Sequence, residues 1–196
     1  MHNQGADRPL VIFGIGQTAE VAAYYFENDG NRKISAFCVD QEYLVESSFL
    51  GKPVVAKEEM QNAFPPEHHN IFVAISFTDL NKLRSRKFKE MIAMGYKSTN
   101  FVHSKSYISQ SVEVGNNSLI LENNVIQVGC SVGENTFIWS GNHIGHHSEI
   151  GNNCYVSSHV VISGAVKIND YSFIGVNATI RDNIQIGKYN VLGAGS

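Results

Sequence analysis

The sequence predicts two units of different construction, an α/β half-Rossmann-like sheet over residues 1–101 and a β-solenoid of six-residue repeats over 102–196. Three observations carry this reading. The first half holds eleven Lys/Arg and twelve Asp/Glu, against four and six in the second. All four prolines lie in the first half, whereas twelve asparagines lie in the second. An aliphatic residue then recurs at every sixth position from Val102 to Leu192. The two units meet near Phe101–Ser104.

In the first unit, Leu10-Val11-Ile12-Phe13 is a short apolar strand running into Gly14-Ile15-Gly16-Gln17-Thr18-Ala19 and a helix through about Asn28. A second strand, Ile34–Val39, ends at Asp40. A third, Asn70–Ile75, ends at Ser76 and leads to a helix around Asp79–Met94 with Gly95 as its stop. The GxGxxA turn aims backbone N–H groups and a helix N-terminus where a phosphate could sit. The same turn also serves as a tight strand-to-helix connection with no ligand. About 100 residues leave no room for a second mononucleotide half, so one nucleotide or a nucleotide-linked substrate is expected instead of a complete NAD site. Asp40 either closes a strand-end turn or meets the nucleotide. The run Arg84-Ser-Arg86-Lys87-Phe-Lys89 is expected to be the solvated face of a helix.

In the second unit, all 16 positions in the six-residue frame are aliphatic, without a slip or an insertion. Period six fits neither a helix nor a free alternating strand. It fits flat faces that each contribute one large inward aliphatic, one small inward residue and a corner. Three faces make an 18-residue turn, so the unit holds about five turns. The small residue comes four positions after the aliphatic, as in Ser118, Cys130, Thr136, Ser148, Cys154, Ser172 and Ala178. The pairs Asn116-Asn117, Asn123-Asn124 and Asn152-Asn153 suit the left-handed backbone of tight corners. Cys130 and Cys154 are expected in the core. An odd count of three cysteines with no CxxC argues against a disulfide scaffold or a zinc ribbon.

Composition narrows the function. A net charge of −3 is too near neutral for a chain that works on nucleic acid. No run approaches the ~18 apolar residues of a membrane span, and no basic segment with a long apolar stretch opens the chain. A cytoplasmic protein is expected. The chemistry centres on Trp139-Ser-Gly-Asn142-His143-Ile-Gly-His146-His147-Ser-Glu149-Ile150, since four of eight histidines fall between His143 and His159. Ile144 and Ile150 point inward, which leaves His146 and His147 on the surface. Histidine titrates near neutrality and is the commonest general base, although a surface histidine is also commonly just solvated. A zinc site shared by neighbouring coils would repeat ligands at 18-residue spacing. The positions 18 and 36 beyond His146 are Gly164 and Asp182, so no metal is expected.

The chain resembles the bacterial sugar acetyltransferases grouped with sialic acid O-acetyltransferase and the bacillosamine-pathway N-acetyltransferase. The resemblance spans residues 8–196. It rests on the GxGxxA turn, Asp40, Val73-Ala-Ile-Ser76, Asn81-Lys-Leu-Arg84 and Asn100-Phe-Val-His-Ser-Lys105, followed by Ile144-Gly-His146 and Ser163-Gly164. It implies a nucleotide-sugar-binding domain and a left-handed parallel β-helix of hexapeptide repeats, assembled as a homotrimer with sites between neighbouring helices. Acetyl-CoA would be the donor and a nucleotide-linked amino sugar of surface polysaccharide synthesis the acceptor, with sugar O-acetylation or a non-catalytic trimeric binder as alternatives. His146 matches the general base and Gly164 the glycine whose N–H faces the thioester oxygen. Tyr155, Val176 and Ala194, with Gly164, match the acetyl-CoA groove. Gly14, Gly16, Gln17, Thr18, Asp40 and Ser76 match the loops that hold the nucleotide, and Trp139 and Asn142 fall at the sugar. Three positions depart from the pattern. His147 stands where an acidic residue often follows the base, leaving Glu149 as a substitute to orient it. Tyr155 replaces a histidine near the thioester. Trp139 replaces a small polar residue near the sugar.

Overall fold

The computed structural model describes residues 8–196. Two compact units divide it: one holds the chain up to Ser76 together with Arg86–Thr99, the other Phe77–Ser85 together with Asn100–Ser196.

The first unit is built on β1 (Leu10–Phe13), a fully buried apolar run of the kind that occupies the middle of a parallel sheet. It is followed by α1 (Gln17–Asn28), β2 (Ile34–Val39), β3 (Ser48–Phe49), β4 (Lys52–Ala56), α2 (Lys57–Ala63), β5 (Asn70–Val73), α3 (Lys82–Ala93) and β6 (Lys97–Ser98). The sheet order is β3-β4-β2-β1-β5-β6, parallel throughout except for β3 against β4. Helix α1 buries Ala19, Ala22, Ala23 and Phe26, and the Phe26 ring meets Phe72 edge-on at 5.0 Å. The chain leaves β1 on one side for β2 and returns on the other as β5. The order therefore reverses at β1, and ligands of open α/β sheets bind at such a reversal, beyond the strands' carboxyl ends.

The second unit stacks two-residue strands into three parallel sheets, the faces of a left-handed β-helix, each strand pairing with the one 18 residues on. The inward aliphatics from Ile120 to Ile186 form one continuous core. Ser118, Thr136, Ser148, Cys130 and Cys154 fill the small inward positions, and the cysteines are free and buried. Burial pushes the Cys154 thiol up to about 12. The residue three after each aliphatic has a positive φ at every corner from Asn117 to Tyr189. Only one member of each asparagine pair is that corner residue (Asn117, Asn123, Asn153), because the frame sends Asn124 inside. Asn117, Asn135 and Asn153 bond one to the next at 2.7 Å, a ladder along one edge.

Outward residues give the three faces different chemistry. One carries Phe101, Leu119, Phe137, Tyr155 and Phe173 and is aromatic. The next carries Tyr107, Val125, His143, Val161 and Thr179 and is apolar, with Tyr107 65% and Val161 40% exposed. The third carries Glu113, Ser131, Glu149, Lys167 and Gln185 and is polar.

The aromatic face is covered by Phe77–Ser85. Phe77 packs edge-on to Tyr155 at 5.2 Å and against Phe173 at 4.8 Å. Asp79, Leu80 and Asn81 all have φ near +50 to +65°, so α3 starts at Lys82 and not at Asp79. The expected solvated basic face is corrected at two positions. Arg84 is fully buried, donates to the carbonyls of Asn135 (3.0 Å) and Cys154 (3.1 Å), and lies 4.1 Å over the Phe137 ring. Burial lowers its pKa to about 9, still cationic at neutral pH. Lys87 is buried and paired to Asp40 and Glu90 in the first unit, while Arg86 and Lys89 remain exposed.

Candidate active site

The frame stacks Val128, His146, Gly164 and Asp182 in one column on the edge between the apolar and polar faces. His146 and His147 are both exposed. The Gln127 Oε1 accepts the His146 backbone N–H at 2.9 Å, which pins the corner. The His146 ring lies over Gly164, where an added Cβ would come within 2.7 Å of Cε1 and 2.8 Å of Nε2. The His147 ring lies over Gly129 in the same way, at 2.8 Å from Cδ2. A side chain at either position would displace the ring that lies over it. The two rings meet nearly at right angles with their Nδ1 atoms 3.1 Å apart.

Four expectations change here. The Gly164 N–H is not free to face a thioester oxygen, because it donates to Asp182 Oδ1 at 2.9 Å. Glu149 does not orient His146. It stands on the polar face and pairs with Lys167 at 2.8 Å. Asn142 occupies a small inward position, 1% exposed, where Oδ1 accepts from Val160 N–H at 2.7 Å and Nδ2 donates to the Trp139 carbonyl, so its amide is spent on the corner. Tyr155 is buried beneath Phe77 and stacks on Phe173 at 5.5 Å, so its ring serves the aromatic face and lines no open groove.

Trp139, Val176 and Ala194 lie on the other edge of the apolar face, where Val176 and Ala194 stack 18 residues apart and are exposed. The Trp139 Nε1 is buried with no hydrogen-bond partner among the described residues. Within one chain, the full width of the apolar face separates this edge from His146.

In the first unit the expected nucleotide residues gather beyond the carboxyl ends of β1, β2 and β5. Gly14 has φ +120° and an added Cβ would sit 2.9 Å from the Ala74 carbonyl oxygen, so only glycine fits. Gly16 caps α1 with nothing within 4 Å of a would-be Cβ, leaving its backbone and the neighbouring Gln17 and Thr18 approachable. Ser76 follows β5. Asp40 is already engaged: Lys87 and Lys57 reach its Oδ1 at 2.8 and 3.1 Å. Burial would raise its pKa, but the hydrogen bonds from these two ammonium groups outweigh it and hold the carboxyl below its usual range.

A groove of about 620 Å³ along the polar face, lined by Glu113, Glu134, Glu149, Lys167 and Asp170, includes none of the residues expected to bind substrate or acetyl-CoA. Among the described residues, no three His, Cys, Asp or Glu side chains gather as a metal site, and no helix is long and apolar enough to cross a membrane.

The bacterial transferase hexapeptide family (six repeats) matches residues 129–164, which include His146, His147 and Gly164. Solved structures match nearly the whole chain. PerB from Caulobacter crescentus, in complex with CoA and GDP-perosamine, superposes with a TM-score of 0.84 at 23% identity, covering 95% of this chain and 86% of that one. The two chains share one fold, an α/β unit followed by a left-handed β-helix. The acetyltransferase domain of PglB from Neisseria gonorrhoeae FA1090, with acetyl coenzyme A, gives 0.83 at 23% identity over 96% and 89%. WeeI from Acinetobacter baumannii AYE gives 0.65 at 18% over 95% and 89%. At these identities the fold is what is shared. No curated protein sequence matches the chain.

Proposed function

We propose that this protein transfers the acetyl group of acetyl-CoA to the amine of a nucleotide-linked sugar, in the cytoplasm and as a homotrimer. The observation that carries the reading is the placement of exposed His146, its ring seated on Gly164, in a fold that a CoA- and GDP-perosamine-bound enzyme shares over 95% of this chain. The apolar face supports the trimer. Tyr107, Val125 and Val161 stand exposed along this face, where a second copy can bury them. When three copies turn this face toward one axis, the Val176–Ala194 edge of each meets the His146 edge of the next. Acetyl-CoA would lie along Val176 and Ala194, and the nucleotide would take the backbone at Gly16, Gln17 and Thr18.

In the reaction, the amine nitrogen bonds to the acetyl carbon, the C–S bond breaks, and one amine proton passes to His146 and on to the leaving sulfur. A positioned base contributes on the order of 10² to 10⁴ in rate. Thiol release from acetyl-CoA, followed against UDP-, GDP- and dTDP-linked 4-amino sugars, tests this. Release with one acceptor, lost in His146→Ala with its thermal unfolding unchanged, is expected. Release with sugar hydroxyls alone, or full turnover in the variant, would sink the reading.

A further inference from the structure

The residue after His146 is a second imidazole, and the two rings stand at hydrogen-bond distance. We infer that His147 is the positioning residue for His146: its Nδ1 accepts the His146 Nδ1–H, leaving the lone pair of His146 on Nε2, the atom seated beside Gly164. This rests on the reading of His146 as the base.

The argument is one of proton counting. Two ring nitrogens 3.1 Å apart are held by one hydrogen, so one ring carries it on Nδ1 and the other keeps a lone pair there. Two imidazolium rings would set two N–H groups and two like charges against each other. The pair therefore accepts one proton beyond neutrality. With the shared hydrogen on His146, the added proton goes to Nε2 of that ring, and the resulting cation strengthens its bond to the neutral His147 acceptor. The Nδ1 proton stays on His146 throughout, and no proton moves to His147.

Residue 147 has φ +58°, a corner that other coils give to Asn135, Asn153, Asn177 and Asn183 and also to His159, Ala165, Tyr171 and Tyr189. A corner alone does not require histidine. The ring is further supported by Gly129, whose missing side chain makes its seat, while Gln127 holds the His146 backbone from the same coil as Gly129. The charged groups nearby are otherwise engaged: Asp182 accepts from Gly164, and Glu149 pairs with Lys167.

The test uses the full-length protein labelled with ¹⁵N-histidine and two replacements that both suit the left-handed corner. His147→Gly removes the acceptor without straining the backbone, and His147→Asn offers its Oδ1 near the place of the lost Nδ1. The expected result is a His146 ring in the Nδ1–H tautomer in the native protein and in His147→Asn, but not in His147→Gly. Turnover should fall on the order of tenfold to a hundredfold in His147→Gly and recover largely in His147→Asn. An Nδ1-unprotonated His146 in the native protein, or a His146 spectrum and turnover unchanged in His147→Gly, would overturn the inference. His146→Ala separates the two failures. If it is inactive while His147→Gly turns over normally, only the positioning role falls; if it is fully active, the base reading falls and takes this one with it.

Discussion

Ile144 and Ile12 are both fully buried aliphatic side chains, yet the cores around them are connected differently. Ile144 touches equivalents one coil below and above, Ile126 and Ile162, in a stack where each coil depends on its neighbours. Ile12 sits on a central strand, flanked by Phe37 and Phe72 from strands distant in sequence. A stack loses stability locally when one layer is cut, whereas a closed α/β core loses it throughout. The candidate site residues follow the same division. Those of the β-helix stand on edges set by a six-residue frame, and those of the α/β unit gather at one reversal of strand order.

The largest structural effect that separates these cores comes from truncating the two isoleucines. Ile144→Ala and Ile12→Ala should each cost about 2–5 kcal/mol. Hydrogen exchange should then show lost protection confined to coils adjoining residue 144 in the first variant, and spread across the whole β2-β1-β5 sheet in the second. Equal spreading in both would erase the distinction.

Arg84→Met comes next. It keeps the packing volume over Phe137 but strands the carbonyls of Asn135 and Cys154, at about 1–3 kcal/mol for an unsatisfied buried group. Denaturant midpoints should record the loss, and Arg84→Lys should recover little of it, because one ammonium group lacks the planar fork. An unchanged midpoint in Arg84→Met would mean that this contact does not hold Phe77–Ser85 to the aromatic face.

The smallest effect is electrostatic and belongs to the α/β unit. The folded pKa of Asp40 lies below its unfolded value, so the stabilisation is present above the unfolded carboxylate value of about 3.9 and is lost as pH falls through the lower folded one. Asp40→Asn should therefore be less stable than the native protein by about 1 kcal/mol at neutral pH, with the gap closing below about pH 4. Ile144→Ala should show no such closing. A gap independent of pH would assign the loss to packing.

How much of this could be read in advance depended on the kind of contact. The frame that made the faces of the β-helix legible also contained the fate of Asn142, which stands four residues after Ile138 in the inward place. It likewise put Asp182 directly beyond Gly164, where the carboxylate takes the N–H expected for the thioester. Arg84 was hidden because a charged run on a helix looks alike whether solvent or a second surface receives it. The pairing of His146 with His147 was hidden for another reason: neighbouring residues present their rings to each other only when the backbone between them turns, and that turn is the left-handed φ at His147. In the α/β unit, the glycine turn disclosed the strand-to-helix corner after β1, while the lysines that hold Asp40 came from two helices with no local signature.

Subunit complementation tests the central claim most directly, that one active site takes His146 from one copy and the Val176 edge from the next. His146→Ala and Val176→Glu are each expected to be inactive. Dissociated, mixed in equal amounts and reassembled as trimers, they should recover about a quarter of native turnover, the statistical share of interfaces with both halves intact. Mixed trimers that form but stay inactive would contradict a shared site.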